Sequence, residues 1–188
     1  MIILSFLFFI TQRVDVENKV IIIHKNGQIK TQNSTITVHP SLHVENNLGI
    51  VLLTALKILF TFQMHKAIKI LKLHHKYLMG GDIVSFEINA NDKTIFIFCS
   101  AGFNNKMKIH KKVDILIWPF QGRTNMTKYS LPIIEKIKPK TIILDHFDNA
   151  FPPITGKVNT EKFVKVMTQK HPEIKIIVPK YKEKIIIE

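Results

Sequence analysis

The chain has 188 residues, of which 46% are hydrophobic and 22% are charged, and its formal net charge at pH 7 is +13. This length and composition exclude a disordered protein and a membrane bundle, and they predict one compact domain over residues 1–188. The single cysteine, Cys99, excludes an internal disulfide and fits the reducing environment of the cytoplasm, where we expect the protein to reside.

The positive charge would draw the protein towards phosphates, nucleic acid or an anionic membrane surface. The lysines are scattered along the chain, however, the arginines are few, and no nucleic-acid-binding motif accompanies them. We therefore interpret the lysines as a solvated surface. A nucleic-acid partner is not expected.

The chain begins with an apolar run, MIILSFLFFI, which has about half of the roughly 20 residues that a transmembrane helix needs. The run lacks the basic start and the small-residue cleavage site of a signal peptide. It predicts a buried strand, with a non-cleaved membrane anchor as the less favoured alternative, and we expect no transmembrane span.

Short strands are predicted next. Asn26-Gly27 is the strongest hairpin signal in the chain, because both residues tolerate positive φ, and it would join strands over Val20 to His24 and Gln28 to Thr31. Polar and apolar residues alternate over Ser34 to Val38, which predicts a third strand with one wet face.

The segment HPSLHV follows this strand directly. Pro40 disfavours a helix here, so His39 and His43 are predicted to lie in a loop rather than to form a two-ligand helical site. We expect a structural role for His39.

Two helices are predicted after this loop. Leu48 to Phe62 is apolar nearly all round and predicts a buried helix, whereas Met64 to Leu73 carries lysines spaced by three and predicts an amphipathic one. The pair would be a helical insertion at about residues 48–78. It could form a lid or a partner-binding arm, or simply be part of the core.

The rest of the chain predicts an α/β arrangement. Ile83 to Ile88 and Thr94 to Cys99 flank a polar turn and predict another hairpin. Later strands are predicted over 114–119, 141–144, 174–178 and 184–187, and helices over 130–137 and 160–170. The alternating order from Val113 onwards predicts a layer with right-handed crossovers, and the earlier hairpins predict a second, more antiparallel sheet.

The stretch TIILDHFDNAFPPI, residues 141–154, has the pattern of a site loop. Its β-branched strand ends abruptly, so His146 would be held by a rigid sheet yet open to solvent, with Asp148 close enough to orient it. His146 could then offer a ring nitrogen to a metal or a substrate. It could equally cap the strand by bonding to a neighbouring carbonyl.

This stretch resembles the last metal-ligand loop of the metallo-β-lactamase-fold hydrolases, particularly their lactonase-like branch. IFIFCSAGF (95–103), VDILIWPFQGR (113–123) and HPSLHV (39–44) resemble further segments of that branch in the same order, and the resemblance covers roughly the last three quarters of the chain. It implies an α/β fold, an αββα sandwich of the metallo-β-lactamase type. The family's principal motif, His-x-His-x-Asp-His, has no match between Met1 and Pro40, so we expect the sandwich to be incomplete at its N-terminus.

The resemblance also implies a site. His43 and His146 would hold zinc or another divalent metal, with Asp148 acting from behind the ligands. Gln121 and Arg123 would line the substrate pocket, where an arginine suits a carboxylate or a phosphate. Most family members place a bridging aspartate where this chain has Ala101, and alanine cannot ligate a metal.

The implied function is metal-dependent hydrolysis of a small anionic ester, lactone or phosphoester. A hydrolytic zinc centre needs about three protein ligands and a water, and His43 and His146 supply two. The missing motif and Ala101 therefore favour the alternative, a catalytically inactive relative that acts as a binding module. A basic nucleic-acid-associated domain is a second alternative, supported by charge alone.

Overall fold

The computed structural model describes residues 15–16, 19–20, 26–78, 83–105, 107, 109, 112–149 and 152–186. The strands are β1 (Asp15–Val16), β2 (Lys19–Val20), β3 (Gln28–Lys30), β4 (Ser34–Pro40), β5 (Val84–Ala90), β6 (Lys93–Phe98), β7 (Ile115–Pro119), β8 (Thr141–Asp145) and β9 (Lys175–Ile177). The helices are α1 (Leu48–Phe60), α2 (Met64–Leu78), α3 (Met126–Ile137) and α4 (Glu161–Lys170). The run Met1 to Ile10, predicted as a strand, lies outside the described residues.

Strands β3 to β9 form one seven-stranded sheet in sequential order, and β1 and β2 form a separate two-stranded ribbon. Pairing is antiparallel from β3 to β6 and parallel from β6 to β9. Strands β4, β6, β7 and β8 therefore all end at the same edge of the sheet. We call this the carboxyl edge; it carries the loops at residues 41–47, 99–105, 120–125 and 146–149.

The core lies between this sheet and helices α3 and α4. Phe96, Leu116 and Ile142 are neighbours across β6, β7 and β8, each is fully buried, and all three belong to one apolar cluster that includes side chains of both helices. Trp118 in the same cluster donates its indole N–H to Ser130 Oγ on α3 at 2.9 Å, which satisfies a buried donor. These β-branched and aromatic strands suit a sheet face covered by helices.

The expected α/β class is confirmed, and so are both helices of the 48–78 segment and the hairpin of β5 and β6. The hairpin strands were expected to form a second, more antiparallel sheet, and this prediction is wrong for strands β3 to β6. The antiparallel strands continue the parallel sheet, because β6 pairs with β5 on one side and with β7 on the other. The predicted hairpin across Asn26-Gly27 is not tested as a whole, since residues 21–25 lie outside the described ranges.

Two further elements differ from prediction. Helix α3 begins at Met126 rather than Ser130, because Met126 is itself buried in the core. The strand predicted over 184–187 is not formed at residues 184–186, which are irregular and have no ladder partner, and Ile187 lies outside the described residues.

Helix α1 was predicted to be buried, and this prediction is wrong: none of its residues is buried. Helices α3 and α4 cover the apolar face of the sheet. Helix α1 instead contacts a loop, where Thr54 bonds to the Ile154 carbonyl. In the part of the chain that the structure describes, no helix is long and apolar enough to cross a membrane.

Candidate functional site at the carboxyl edge

The first two loops of the carboxyl edge are joined backbone to backbone. Leu42 and Gly102 form an isolated antiparallel bridge, and the Val44 N–H donates to Ser100 Oγ at 2.9 Å. A Cβ at Gly102 would lie 2.2 Å from the Leu42 carbonyl oxygen and 2.5 Å from that of His43. Only glycine allows so close an approach, and the bridge fixes the loop that carries His43.

The third and fourth loops are joined as firmly. The Phe120 N–H donates to the Asp145 carbonyl at 2.7 Å, and Gln121 Nε2 donates to the carbonyls of Asp148 at 3.2 Å and Gly156 at 2.9 Å. Gln121 was predicted to line a substrate pocket. In the structure its amide connects two loops of the edge.

His146 is held by the residue that precedes it. Its backbone has φ of +53°, in the left-handed region, and its N–H donates to Asp145 Oδ1 at 2.8 Å. Its ring Nδ1 lies 3.2 Å from Asp145 Oδ2, and both side chains are less than a third exposed. A non-glycine residue in this region commonly marks a functional position.

The electrostatics of the two groups follow from this contact. The hydrogen bond to Asp145 raises the pKa of His146 despite burial, which acts in the opposite direction, and the charges of Asp145 and Asp148 add to the rise. Burial acts to raise the pKa of Asp145, but the hydrogen bonds and charge of His146 outweigh it and lower that pKa. The pair is therefore an ion pair at mildly acidic pH.

Cys99, at the end of β6, is not a candidate nucleophile. Burial raises the pKa of its thiol to about 12, and the nearby charge of Asp145 adds to the rise. At neutral pH the thiol stays protonated, whereas both nucleophilic attack and metal binding require the thiolate.

Arg123 crosses between loops. Its Nη1 donates to the Glu45 carbonyl at 2.6 Å and its Nε to Asn125 Oδ1 at 3.3 Å, while the guanidinium carbon lies 4.9 Å from the centre of the Tyr129 ring. The Tyr129 hydroxyl in turn donates to the Ala101 carbonyl at 2.9 Å. The guanidinium is thus oriented at the edge by an aromatic face and two acceptors.

A groove of about 360 Å³ opens beside Arg123, between the first turns of α3 and α4. Its polar lining includes Arg123, Thr127 and Lys162, together with Asn159, whose Oδ1 accepts the Glu161 N–H at 2.8 Å. Asn125, the N-cap residue of α3, makes no capping bond through its side chain, and the first turn of α3 has no acidic residue. The lining of the groove also includes Glu161 at the start of α4, so the groove holds one carboxylate beside the cationic groups of Arg123 and Lys162.

The side chains expected to bind a divalent metal are already engaged or cannot ligate. His43 is exposed and its Nδ1 lies 2.9 Å from the carbonyl oxygen of Val44, while Nδ1 of His146 is held by Asp145. Ala101 is fully buried and its carbonyl accepts the Tyr129 hydroxyl. Among the described residues, no group of three or more His, Cys, Asp or Glu is arranged to hold an ion. These residues do not fit a catalytic zinc on their own, because such a site needs about three protein ligands and a water.

His39 was predicted to lie in a loop, and this prediction is wrong: it belongs to strand β4, which continues to Pro40. It is 6% exposed on β4, and its Nε2 lies 3.0 Å from Oε2 of the equally buried Glu87. Asn89 donates to the other oxygen of Glu87 at 3.1 Å and accepts from the Thr94 hydroxyl at 2.9 Å. The arrangement gives buried polar atoms partners, which is what a core network requires.

Sequence reasoning missed Asp145 and the first turn of α3. Asp148 was expected to orient His146, but the carboxylate that bonds the ring is that of Asp145, which the sequence suggests only as the last residue of a strand. The available signal was the adjacency of Asp and His at a strand end. The available signal for the start of α3 was Asn125, a residue type favoured at N-caps, although its side chain makes no capping bond in the structure.

No family model matches the chain, and no curated protein sequence matches it either. Among solved structures, the chain is similar to a protein from Thermotoga maritima provisionally described as a Zn-dependent hydrolase of the metallo-β-lactamase superfamily. The identity is 11% and the TM-score 0.47, over 85% of this chain and 71% of that one.

The chain is also similar to a mutant of the β-hydroxylase CmlA, with 8% identity and a TM-score of 0.52. This likeness covers 85% of the present chain but only 32% of the hydroxylase. At such identities a likeness concerns the fold alone. The likeness to the hydroxylase therefore agrees with a mixed α/β fold.

Proposed function

We propose that this chain recognises a small carboxylate- or phosphate-bearing molecule at the carboxyl edge, as a binding relative of the metallo-β-lactamase-fold hydrolases. The observation that carries the proposal is the convergence of Arg123, Lys162 and the first turn of α3 on one groove. Helix N-termini stabilise anions through their amide groups and dipole, and a guanidinium adds charge-assisted hydrogen bonds. In open α/β sheets, ligands commonly bind in the crevice outside the carboxyl ends of the parallel strands, and the carboxyl edge is a region of this kind.

Hydrolysis is the second candidate. It would be metal-dependent cleavage of a small anionic ester, lactone or phosphoester, as in the lactonase-like branch, with His43 and His146 as ligands of zinc or another divalent metal and Asp148 behind them. The observation that favours it is the Asp145–His146 pair, because metal-binding histidines commonly have a carboxylate on the other ring nitrogen. It ranks second because the described residues do not complete an ion site.

The binding proposal predicts the effect of removing single charges from the groove. In calorimetric titrations with inorganic phosphate and with a phosphate monoester, Arg123→Gln lowers the affinity at least about tenfold, since hydrogen bonds to charged groups contribute roughly 1.5–3 kcal/mol. Lys162→Gln also weakens binding, by a smaller factor, because an ammonium group makes no bidentate contact.

Lys165→Gln is the matched control, since Lys165 is an exposed lysine of the same helix that does not line the groove. Its affinity is expected to equal that of the unmodified protein. If all three variants bind phosphate alike, the groove is not the site and the proposal fails.

Two further assays distinguish anion binding from hydrolysis and from nucleic-acid binding. A rate of ester, lactone or phosphoester cleavage that depends on added zinc and disappears in both His43→Ala and His146→Ala would raise hydrolysis above binding. Tight binding of DNA or RNA with a steep loss on adding salt would instead favour the nucleic-acid alternative.

A further inference from the structure

Helices α1 and α2 form a helical hairpin, residues 48–78, whose apolar side chains face outwards. Twelve large apolar residues between Leu48 and Leu73 are each at least 46% exposed, and Phe62 at the tip is 89% exposed. Scattered exposed leucines are ordinary, but a contiguous patch on this scale marks an interaction surface.

Helix α1 has the reverse of the usual pattern for a surface helix. Its two polar side chains, Thr54 and Lys57, point to the protein: Thr54 Oγ1 donates to the Ile154 carbonyl at 3.5 Å, and Lys57 Nζ donates to the Thr155 carbonyl. On the opposite side Leu48, Leu52 and Leu59 are more than half exposed. A helix that turns its polar groups inwards and its leucines outwards matches an apolar surrounding rather than water.

Helix α2 continues this surface and adds charge beside it. Met64, Ile68 and Leu71 repeat at i, i+4 and i+7, so they form one exposed stripe. Lys66 and Lys69 are exposed on the other side of the helix, since a helix turns about 100° per residue. An apolar face opposed by a polar face that carries lysines is the arrangement of helices that lie in the interface of a membrane.

The charge of the hairpin decides which occupant fits. Residues 48–78 contain five lysines and no aspartate or glutamate. A second copy docked on the same face would bring two sets of lysines together without a compensating carboxylate, which opposes self-association. A bilayer with anionic headgroups satisfies both the leucines and the lysines.

We propose that the helical hairpin binds peripherally to an anionic lipid bilayer, with its apolar face at the acyl boundary and its lysines among the headgroups. The hairpin lies on the bilayer rather than across it, in keeping with the absence of a spanning helix from the described residues. The proposal does not depend on the small-anion groove, which is lined by other residues.

Sedimentation of the full chain with vesicles tests this proposal. The protein is expected to sediment with phosphatidylcholine vesicles that contain phosphatidylserine and to bind pure phosphatidylcholine vesicles far less. Each lysine near an anionic surface contributes about fivefold to partitioning, so Lys66→Gln/Lys69→Gln/Lys72→Gln lowers it by roughly 100-fold. Leu52→Gln/Leu56→Gln also lowers binding, because these exposed leucines supply the apolar contact.

The control is Lys165→Gln/Lys170→Gln/Lys175→Gln, which removes the same charge from exposed lysines of α4 and β9. It is expected to retain most of the binding. Equal losses in the two lysine variants, equal binding to both kinds of vesicle, or no binding at all would overturn the proposal. So would self-association that the leucine variant abolishes without any vesicle binding, since a second copy would then cover the face. If circular dichroism shows that the leucine variant has lost helical structure, the comparison of the two lysine variants tests the proposal without it.

Discussion

Asp145 and His146 are adjacent in the chain, and their side chains meet where the backbone enters the left-handed region. The carboxylate bonds both the ring and the backbone N–H of the histidine, which leaves the ring in one orientation at the carboxyl edge. A histidine so oriented has a pKa set by its neighbour rather than by solvent.

Asp145→Asn is expected to lower the pKa of His146, measured by NMR titration of its ring. The hydrogen bond to Asp145 is the largest cause of the raised pKa, and the burial that opposes it remains in the variant. Asp148→Asn is the matched control: Asp148 acts on His146 through charge alone, so its removal lowers the pKa less. Equal shifts in the two variants would contradict the assignment of Asp145 as the partner.

The same pair makes stability depend on pH. The raised pKa of His146 contributes stability that is present below its ordinary pKa of 6.5 and is lost as the pH rises through the folded value. The lowered pKa of Asp145 contributes stability above its ordinary value of 3.8 that is lost as the pH falls. The advantage of the unmodified protein over Asp145→Asn, measured by urea unfolding, is therefore largest between pH 3.8 and 6.5 and decreases on both sides of this range. An advantage independent of pH would contradict the ion pair.

Among the elements, helix α1 depends on the residue that begins it. Asn47 Oδ1 accepts the N–H of Ile50 and that of Thr124, each at 3.2 Å, and its Nδ2 donates to Thr124 Oγ1 at 2.8 Å. One side chain thus caps the helix and ties it to the loop that carries Arg123. The cap matters more here than in most helices, because α1 has no buried residues to hold it.

Asn47→Ala is expected to lower the free energy of unfolding by about 2 kcal/mol and to reduce the helical signal in circular dichroism, since loss of a cap costs about 1 kcal/mol and both hydrogen bonds to Thr124 are lost with it. Asn46→Ala, which changes the exposed asparagine beside it, is expected to have little effect. Equal effects would show that Asn47 does not act as the cap.

The predictability of these elements follows from their chemistry. Alternation in β4 and the polar turn between β5 and β6 are local signals, and both strands and turn lie where they were predicted. The position of α1 is not a local property: its leucines predict a helix but do not say what covers them. Asp145 was missed for a similar reason. It is the last residue of a strand, and the sequence does not show that the backbone after it turns so that His146 meets its carboxylate.

For the molecule as a whole, one mixed sheet brings four loops to a single edge. Strand β6 makes this possible, since it pairs antiparallel to β5 and parallel to β7. The order of segments along the chain predicted that these loops would be related, but not that antiparallel and parallel strands would share a sheet. Separate sheets and a shared sheet have the same local patterns, and only the pairing of β6 distinguishes them.

The carboxyl edge and the helical hairpin are next to each other, because Thr54 and Lys57 of α1 bond to the loop that follows His146 and Asp148. The helical hairpin that carries the proposed membrane-binding face is thus attached to a loop of the same region as the proposed anion site. Each proposal can nevertheless fail alone, since different residues carry it and vesicle binding and phosphate binding are separate measurements.

The most direct test of the central proposal is to map the amide signals of the full chain by NMR while inorganic phosphate is added. Phosphate bound in the groove is expected to give saturable shifts at the first-turn amides of α3, Met126 to Lys128, and at Arg123, with these shifts lost in Arg123→Gln. Small, unsaturable shifts spread over the exposed lysines, with none at the start of α3, would contradict it, because they would mean that the positive charge attracts phosphate without a built site.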